Sequence, residues 1–155
     1  MTPAVTLLTQ RKVSFDILEY EHDAGCQAYG MEAVEKLSLS APQVFKTLVT
    51  ELDNGKLAVA LIPVAARLSL KKMAKACSAK KAVMADPAKV TAATGYIMGG
   101  VSPLGQKKKL LTVIDESASE FTTCYVSAGR RGLEIAISPA DLLVLCNATT
   151  ASLTE

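Results

Sequence analysis

Asp53-Asn54-Gly55 separates two apolar runs, residues 44–51 and 57–64. Asn-Gly tolerates the positive φ of a type I′ turn, so the runs are expected to pair as adjacent antiparallel strands of a hairpin. A purely parallel, doubly wound sheet is therefore disfavoured. The flanking signals interleave helices with strands. Thr2-Pro3 starts a helix reaching residue 10, with Thr as N-cap and Pro at the first position. A strand is expected over 15–20 and a helix over 31–37. Ser69 caps a helix running to 77, 81–84 reads as a short strand, and Asp86-Pro87 opens a helix that Gly95 ends. Strands follow at 110–114, 124–127 and 133–137, the last two joined by Ala128-Gly129-Arg130-Arg131-Gly132. Ser138-Pro139-Ala140-Asp141 starts a final helix through 145. The expected fold class is α/β (α+β), with a mixed, strongly curved, barrel-like central sheet decorated by helices.

The chain has 155 residues, half of them hydrophobic, which suits one core and a single domain over 1–155. Neither a membrane span nor a signal peptide is expected, so no membrane partner is. Aromatic residues make up only 5%, which disfavours a stacking platform for single-stranded nucleic acid. Cys26, Cys77, Cys124 and Cys146 are scattered, in apolar surroundings where the sequence is informative, and read as small core residues. With one histidine, His22, no metal site and no cofactor are expected, and free thiols suit a reducing cytosol. The charge is uneven. Residues 1–70 carry six basic and eight acidic side chains, 71–131 eleven basic and four acidic, and 132–155 three acidic and no basic. The basic middle segment is either a face that meets phosphate or a set of solvated lysines.

Gly99-Gly100-Val101-Ser102-Pro103-Leu104-Gly105-Gln106-Lys107-Lys108-Lys109 joins a glycine-rich turn to three lysines. Glycine lets a backbone approach a ligand and aim its N–H groups inward. The stretch has neither the P-loop nor the dinucleotide spacing, and it reads as an anion site or as a tight turn beside solvated lysines. Lys46 stands in a run whose two faces, Val44 and Leu48 on one and Phe45, Thr47 and Val49 on the other, both look buried. It either escapes at a strand end or sits in a cleft, where an unpaired ammonium asks for an anionic partner. His22, in an acidic post-strand turn, reads as structural. Glu134 alternates against Leu133 and Ile135, which points it to solvent by default or into a cleft. No triad and no carboxylate pair is recognisable, so an enzyme of this composition works by positioning, backbone donors and a lysine.

Taken in order, several short motifs resemble the YbaK family of Cys-tRNA(Pro) deacylases, free-standing relatives of the editing domain of bacterial prolyl-tRNA synthetases. They are Met1-Thr2-Pro3-Ala4, Tyr20-Glu21-His22-Asp23, Phe45-Lys46-Thr47-Leu48, Leu70-Lys71-Lys72, Met84-Ala85-Asp86, Thr94-Gly95-Tyr96, the stretch 99–108, Tyr125-Val126-Ser127 and Arg131-Gly132-Leu133. The resemblance implies the fold of that editing domain and hydrolysis of the ester joining cysteine to the 3′ end of tRNA(Pro). It further implies that no metal or protein nucleophile takes part, because the substrate thiol attacks its own carbonyl. Carried over, Lys46 orients the substrate near the terminal ribose and phosphate, and Gly99 offers a backbone N–H to the scissile carbonyl. Tyr20, Tyr29, Thr47, Gly100, Ser102, Pro103, Ser127 and Glu134 are expected at the substrate, and Lys107, Lys108, Lys109, Arg130 and Arg131 at the tRNA. The implied partners are aminoacylated tRNA(Pro) and, in a transient ternary complex, prolyl-tRNA synthetase, with a monomer or weak homodimer in the cytoplasm.

Three departures from the family pattern stand out. Tyr29-Gly30-Met31 replaces Phe-Gly-Asp, Ala128-Gly129-Arg130-Arg131-Gly132 replaces Gly-Gly-Lys-Arg-Gly, and Glu134 replaces Asp. The extra methylene of Glu134 moves its carboxylate by about 1 Å. Two other readings stand beside deacylation of Cys-tRNA(Pro): a non-catalytic tRNA- or synthetase-binding module of the same fold, and a deacylase for another small amino acid, alanine or serine.

Overall fold

The computed structural model describes all 155 residues, Met1–Glu155. Five α-helices form, four of them where the caps predict them. α1 (Pro3–Gln10) begins with Thr2 Oγ1 accepting from the Val5 N–H at 3.3 Å. α2 (Tyr29–Leu37) has no side-chain cap and stops at Ser38, which enters the left-handed region at φ 54°. α3 (Leu70–Ala76) is capped by Ser69, α4 (Pro87–Thr94) by Asp86, and α5 (Pro139–Leu145) by Ser138. Gly95, at φ 82°, ends α4 with the left-handed residue that glycine adopts most easily.

The strands are β1 (Asp16–Glu19), β2 (Phe45–Leu52), β3 (Leu57–Pro63), β4 (Ala82–Met84), β5 (Leu111–Asp115), β6 (Cys124–Ser127), β7 (Leu133–Ile137) and β8 (Thr149–Ala151). β2 and β3 form the expected antiparallel hairpin, with Glu51 opposite Leu57. Its turn is not type I′, which needs positive φ at both central residues. Only Gly55 is left-handed, at φ 83°, while Asn54 Oδ1 accepts from the Lys56 N–H at 2.9 Å. The loop therefore has three residues, a turn followed by a left-handed glycine.

The strands form two open sheets, and the expected barrel-like sheet is corrected on this point. One has the order β4-β2-β3-β5-β8 and mixes antiparallel with parallel pairs; the other is the antiparallel β1-β7-β6. The physical reason lies in β2. β3 occupies one edge along its length and β4 takes Thr50–Leu52 on the other, so β6 reaches this region only through a single bridge, Val44 with Tyr125. Neither sheet closes.

β3 is buried on both faces, as a central strand should be. Val59 and Leu61 enter the larger core with Phe45, Val49, Val126 and Ile135, between the two sheets. Ala58, Ala60 and Ile62 enter a smaller core with Met73 and Ala74 of α3. Because β4 stops at Thr50, the first half of β2 has an edge without a strand beside it. A cavity opens there.

Candidate active site

The cavity has a volume of about 350 Å³, at the small end for a ligand site, and most of its wall is apolar. β2 supplies Lys46 and Thr47, β7 supplies Glu134, β6 supplies Ser127, and the segment after α4 supplies Gly99. Tyr20 and Tyr29 close other parts of the wall. Burial holds the Lys46 ammonium below its ordinary range. It enters none of the ion pairs of the protein.

Glu134 is 7% exposed, so its solvent reading is corrected: it is the buried carboxyl of the cavity. β7 is the central strand of its sheet and sets Glu134 between Leu18 of β1 and Ser127 of β6. Burial pushes its carboxyl up to about 8, and Oε2 has no hydrogen-bond partner. Thr47 Oγ1 is also buried without a partner. Tyr20 is pushed up to about 12, by burial first and then by the negative charge of Glu134. Buried polar atoms are nearly always satisfied, so these two on one cavity wall are free to bond water or a polar ligand.

Gly99 sits at φ 87°, and a Cβ there would lie 2.6 Å from Arg131 Nε and 2.7 Å from Tyr29 Cε2. Its N–H donates to no group of the protein. Arg131 stacks over Tyr29, with Cζ 4.6 Å from the ring centre, and Nη2 donates to the Met98 carbonyl at 2.7 Å. Arg130 lines the cavity itself.

Gly100, Ser102 and Pro103 do not line the cavity, contrary to their expected place at the substrate. The Gly100 N–H is taken by the Ile97 carbonyl at 2.9 Å, and a Cβ there would lie 2.9 Å from the Arg130 backbone. Ser102 and Pro103 are buried; Ser102 Oγ accepts from the Leu104 N–H at 3.2 Å. These three residues hold the loop in shape. Lys107, Lys108 and Lys109 are exposed and also lie outside the cavity.

His22 Nδ1 lies 2.6 Å from Glu32 Oε1 and lines no part of the cavity, which agrees with its structural reading. None of the four cysteines lines it either. Cys124 alone is fully buried, while Cys26, Cys77 and Cys146 are partly exposed. No three His, Cys, Asp or Glu side chains gather as a metal-holding cluster. Met31, one of the departures from the family pattern, lines the cavity; Met84, Val90 and Met98 were not foreseen as wall residues, because apolar periodicity marks burial without telling a core from a cavity wall.

A family model for the aminoacyl-tRNA editing domain matches residues 27–145. The chain belongs to this editing-domain family, of the YbaK type. The matched span carries every cavity residue named above except Tyr20. An Enterococcus faecalis (strain ATCC 700802 / V583) protein named "Putative Cys-tRNA(Pro)/Cys-tRNA(Cys) deacylase EbsC" is 39% identical over 154 residues, 99% of this chain and 93% of that protein. Bacillus subtilis (strain 168) YwhH, an uncharacterized protein, is 26% identical over 137 residues, covering 88% of this chain and 85% of its own. The crystal structure of a "putative trans-editing enzyme for prolyl tRNA synthetase" has a TM-score of 0.86 at 24% identity, over 99% of this chain and 95% of that one. At that identity the likeness shows the shared fold. No helix of the chain is long and apolar enough to cross a membrane.

Proposed function

We propose that this editing domain hydrolyses the ester of cysteine mischarged onto tRNA(Pro). The observation that carries the reading is one cavity holding an unpaired lysine and an unpaired buried carboxyl that do not reach each other. A ligand with a cationic end and an anionic end satisfies both, and an aminoacylated 3′ nucleotide is such a ligand. The α-ammonium donates to Glu134 Oε2, whose carboxyl ionises once a cation lies beside it. Lys46 pairs with the terminal phosphate or ribose. The free Gly99 N–H donates to the ester carbonyl, a contact that strengthens as negative charge develops on that oxygen.

The bond is broken by the substrate itself. The cysteine sulfur forms a bond to its own carbonyl carbon, the bond from that carbon to the ribose oxygen breaks, and the thiol proton ends on the departing hydroxyl. Water then opens the thiolactone, restoring the thiol and leaving a free carboxylic acid. The absence of any cysteine or histidine from the cavity wall supports this route, and so does the name of the 39% identical relative. Acting in the cytoplasm as a monomer or weak dimer, beside prolyl-tRNA synthetase, belongs to the same reading, as does one domain spanning the chain.

The test is incubation with Cys-tRNA(Pro), Ala-tRNA(Pro) and Pro-tRNA(Pro), counting the ester that survives. Rapid loss of the cysteinyl ester alone is expected. Survival of all three refutes catalysis and leaves a binding module; loss of the alanyl ester at an equal rate refutes the thiol route.

A further inference from the structure

A second cleft, of about 760 Å³, lies along a different face of α4 from the cavity. Val90 of α4 faces the cavity, whereas Lys89, Ala92 and Ala93, spaced as neighbours on one helical face, line the cleft. Lys56 enters from the β2–β3 loop, and Lys108 and Lys109 enter from the segment that began at Gly99. That segment is tied to α4 where the Lys108 N–H donates to the Ala93 carbonyl at 2.9 Å. Four lysines line the cleft with no acidic and no aromatic side chain. The carboxylates nearby are accounted for. Glu51 holds Lys89 Nζ at 2.8 Å, with Asp86 a weaker neighbour, and Asp53 Oδ1 accepts from the backbone N–H groups of Lys80 and Lys81. The side chains of Lys56, Lys108 and Lys109 form no ion pair.

We infer that Lys56, Lys89, Lys108 and Lys109 form a phosphate-binding cleft that holds the backbone of the RNA strand leading away from the cavity. With no aromatic side chain to stack a base, four ammonium groups suit the phosphate oxygens of a backbone. Lys46 at the cavity and Leu52 at the cleft lie six residues apart on β2, about 20 Å at ~3.3 Å per residue. A strand whose 3′ end lies in the cavity therefore brings phosphates several nucleotides upstream to the cleft. The cleft rests on the cavity taking the aminoacylated end. Of the five cations expected at tRNA, Arg130 lines the cavity and Arg131 stacks on the wall residue Tyr29, Lys108 and Lys109 join Lys56 and Lys89 in the cleft, and Lys107 lines neither.

The experiment compares Lys56→Ala/Lys108→Ala/Lys109→Ala with Arg11→Ala/Lys71→Ala/Lys75→Ala, which removes equal charge from unpaired residues lining neither site. Lys89 is left in place because it is tied to Glu51. Binding of uncharged tRNA is followed by fluorescence anisotropy from low to moderate salt. The cleft variant is expected to bind at least about tenfold more weakly, and its log–log salt slope to shrink by about 2, near 0.7 per lost phosphate contact. The control is expected to keep most of the affinity, and a Lys→Arg triple variant to restore it. With Cys-tRNA(Pro) as substrate, KM rises and kcat stays. An unchanged affinity and slope, or an equal loss in the control, overturns the cleft. If the wild-type protein deacylates nothing but tRNA binding still depends on these three lysines, the deacylase reading fails and the cleft survives.

Discussion

Glu134→Gln keeps the shape of the side chain and removes its charge. Burial raises the carboxyl from an ordinary 4.5 to about 8. Between those two values the unfolded chain gives up the proton while the native protein keeps it. The native state thus binds more protons, and its stability falls as pH rises through the window. Its contribution is whole below the lower value and gone above the higher one. At 1.36 kcal/mol per pH unit the gap corresponds to about 5 kcal/mol, a ceiling that water entering the cavity lowers. Urea melts of both proteins at about pH 5, 7 and 9 give the test, with stabilities within about 1 kcal/mol at the acid end and the variant ahead by about 2–5 kcal/mol at the alkaline end. The variant is also expected to need more aminoacyl-tRNA for half-maximal rate, because an amide pairs less well with an ammonium. Parallel pH profiles, or a variant that is less stable at alkaline pH, refute the buried carboxyl as the source of the slope. Glu32 does not blur the result. Burial pushes it up, but hydrogen bonds from His22, the Asp23 N–H and Lys36 outweigh that and hold it at about 2. Its stabilisation is present above 4.5 and is lost only as pH falls towards 2.

Lys46→Ala is expected to cut single-turnover deacylation about 100-fold or more without lowering the melting temperature, since the ammonium has no protein partner to lose; near-normal turnover would remove it from the site. Gly99→Ala places a Cβ at φ 87° against Arg131 and Tyr29. A left-handed alanine costs about 1–2 kcal/mol, so calorimetry should show the melting temperature falling by about 2–8 °C, with turnover lowered as the Tyr29–Arg131 stack shifts. Replacing all four cysteines by alanine is expected to leave the rate per folded molecule unchanged, because none lines the cavity; circular dichroism measures the folded fraction, and loss of activity in folded protein would sink the substrate-thiol route.

Local chemistry was legible wherever one or two residues decide the backbone. Thr2-Pro3, Ser69, Asp86-Pro87, Ser138-Pro139 and Gly95 place helix ends because a side-chain oxygen or a left-handed glycine acts within one turn. β8 was missed, since Thr149–Ala151 has no pattern of its own and becomes a strand only by pairing with β5. The hairpin was read correctly and its turn type was not: Gly55 alone takes the left-handed conformation, and the Asn54 side chain satisfies the loop instead.

By itself, the sequence determined the order of the five helices and of β1 to β7, the caps of four helices, the strand pair around residues 53–55 and, through its ordered motifs, the editing-domain family. These depend on neighbours along the chain. Tertiary structure alone decided that β2 has no free edge for β6 along Thr50–Leu52, so that the sheets stay separate and a cavity opens beside Lys46. It also turned Glu134 from a solvent-facing alternation into a buried carboxyl, and brought Lys56, Lys89, Lys108 and Lys109 to one cleft. Burial and charge clustering are sums over contacts between distant segments, and a one-dimensional pattern carries the residues of that sum without their distances.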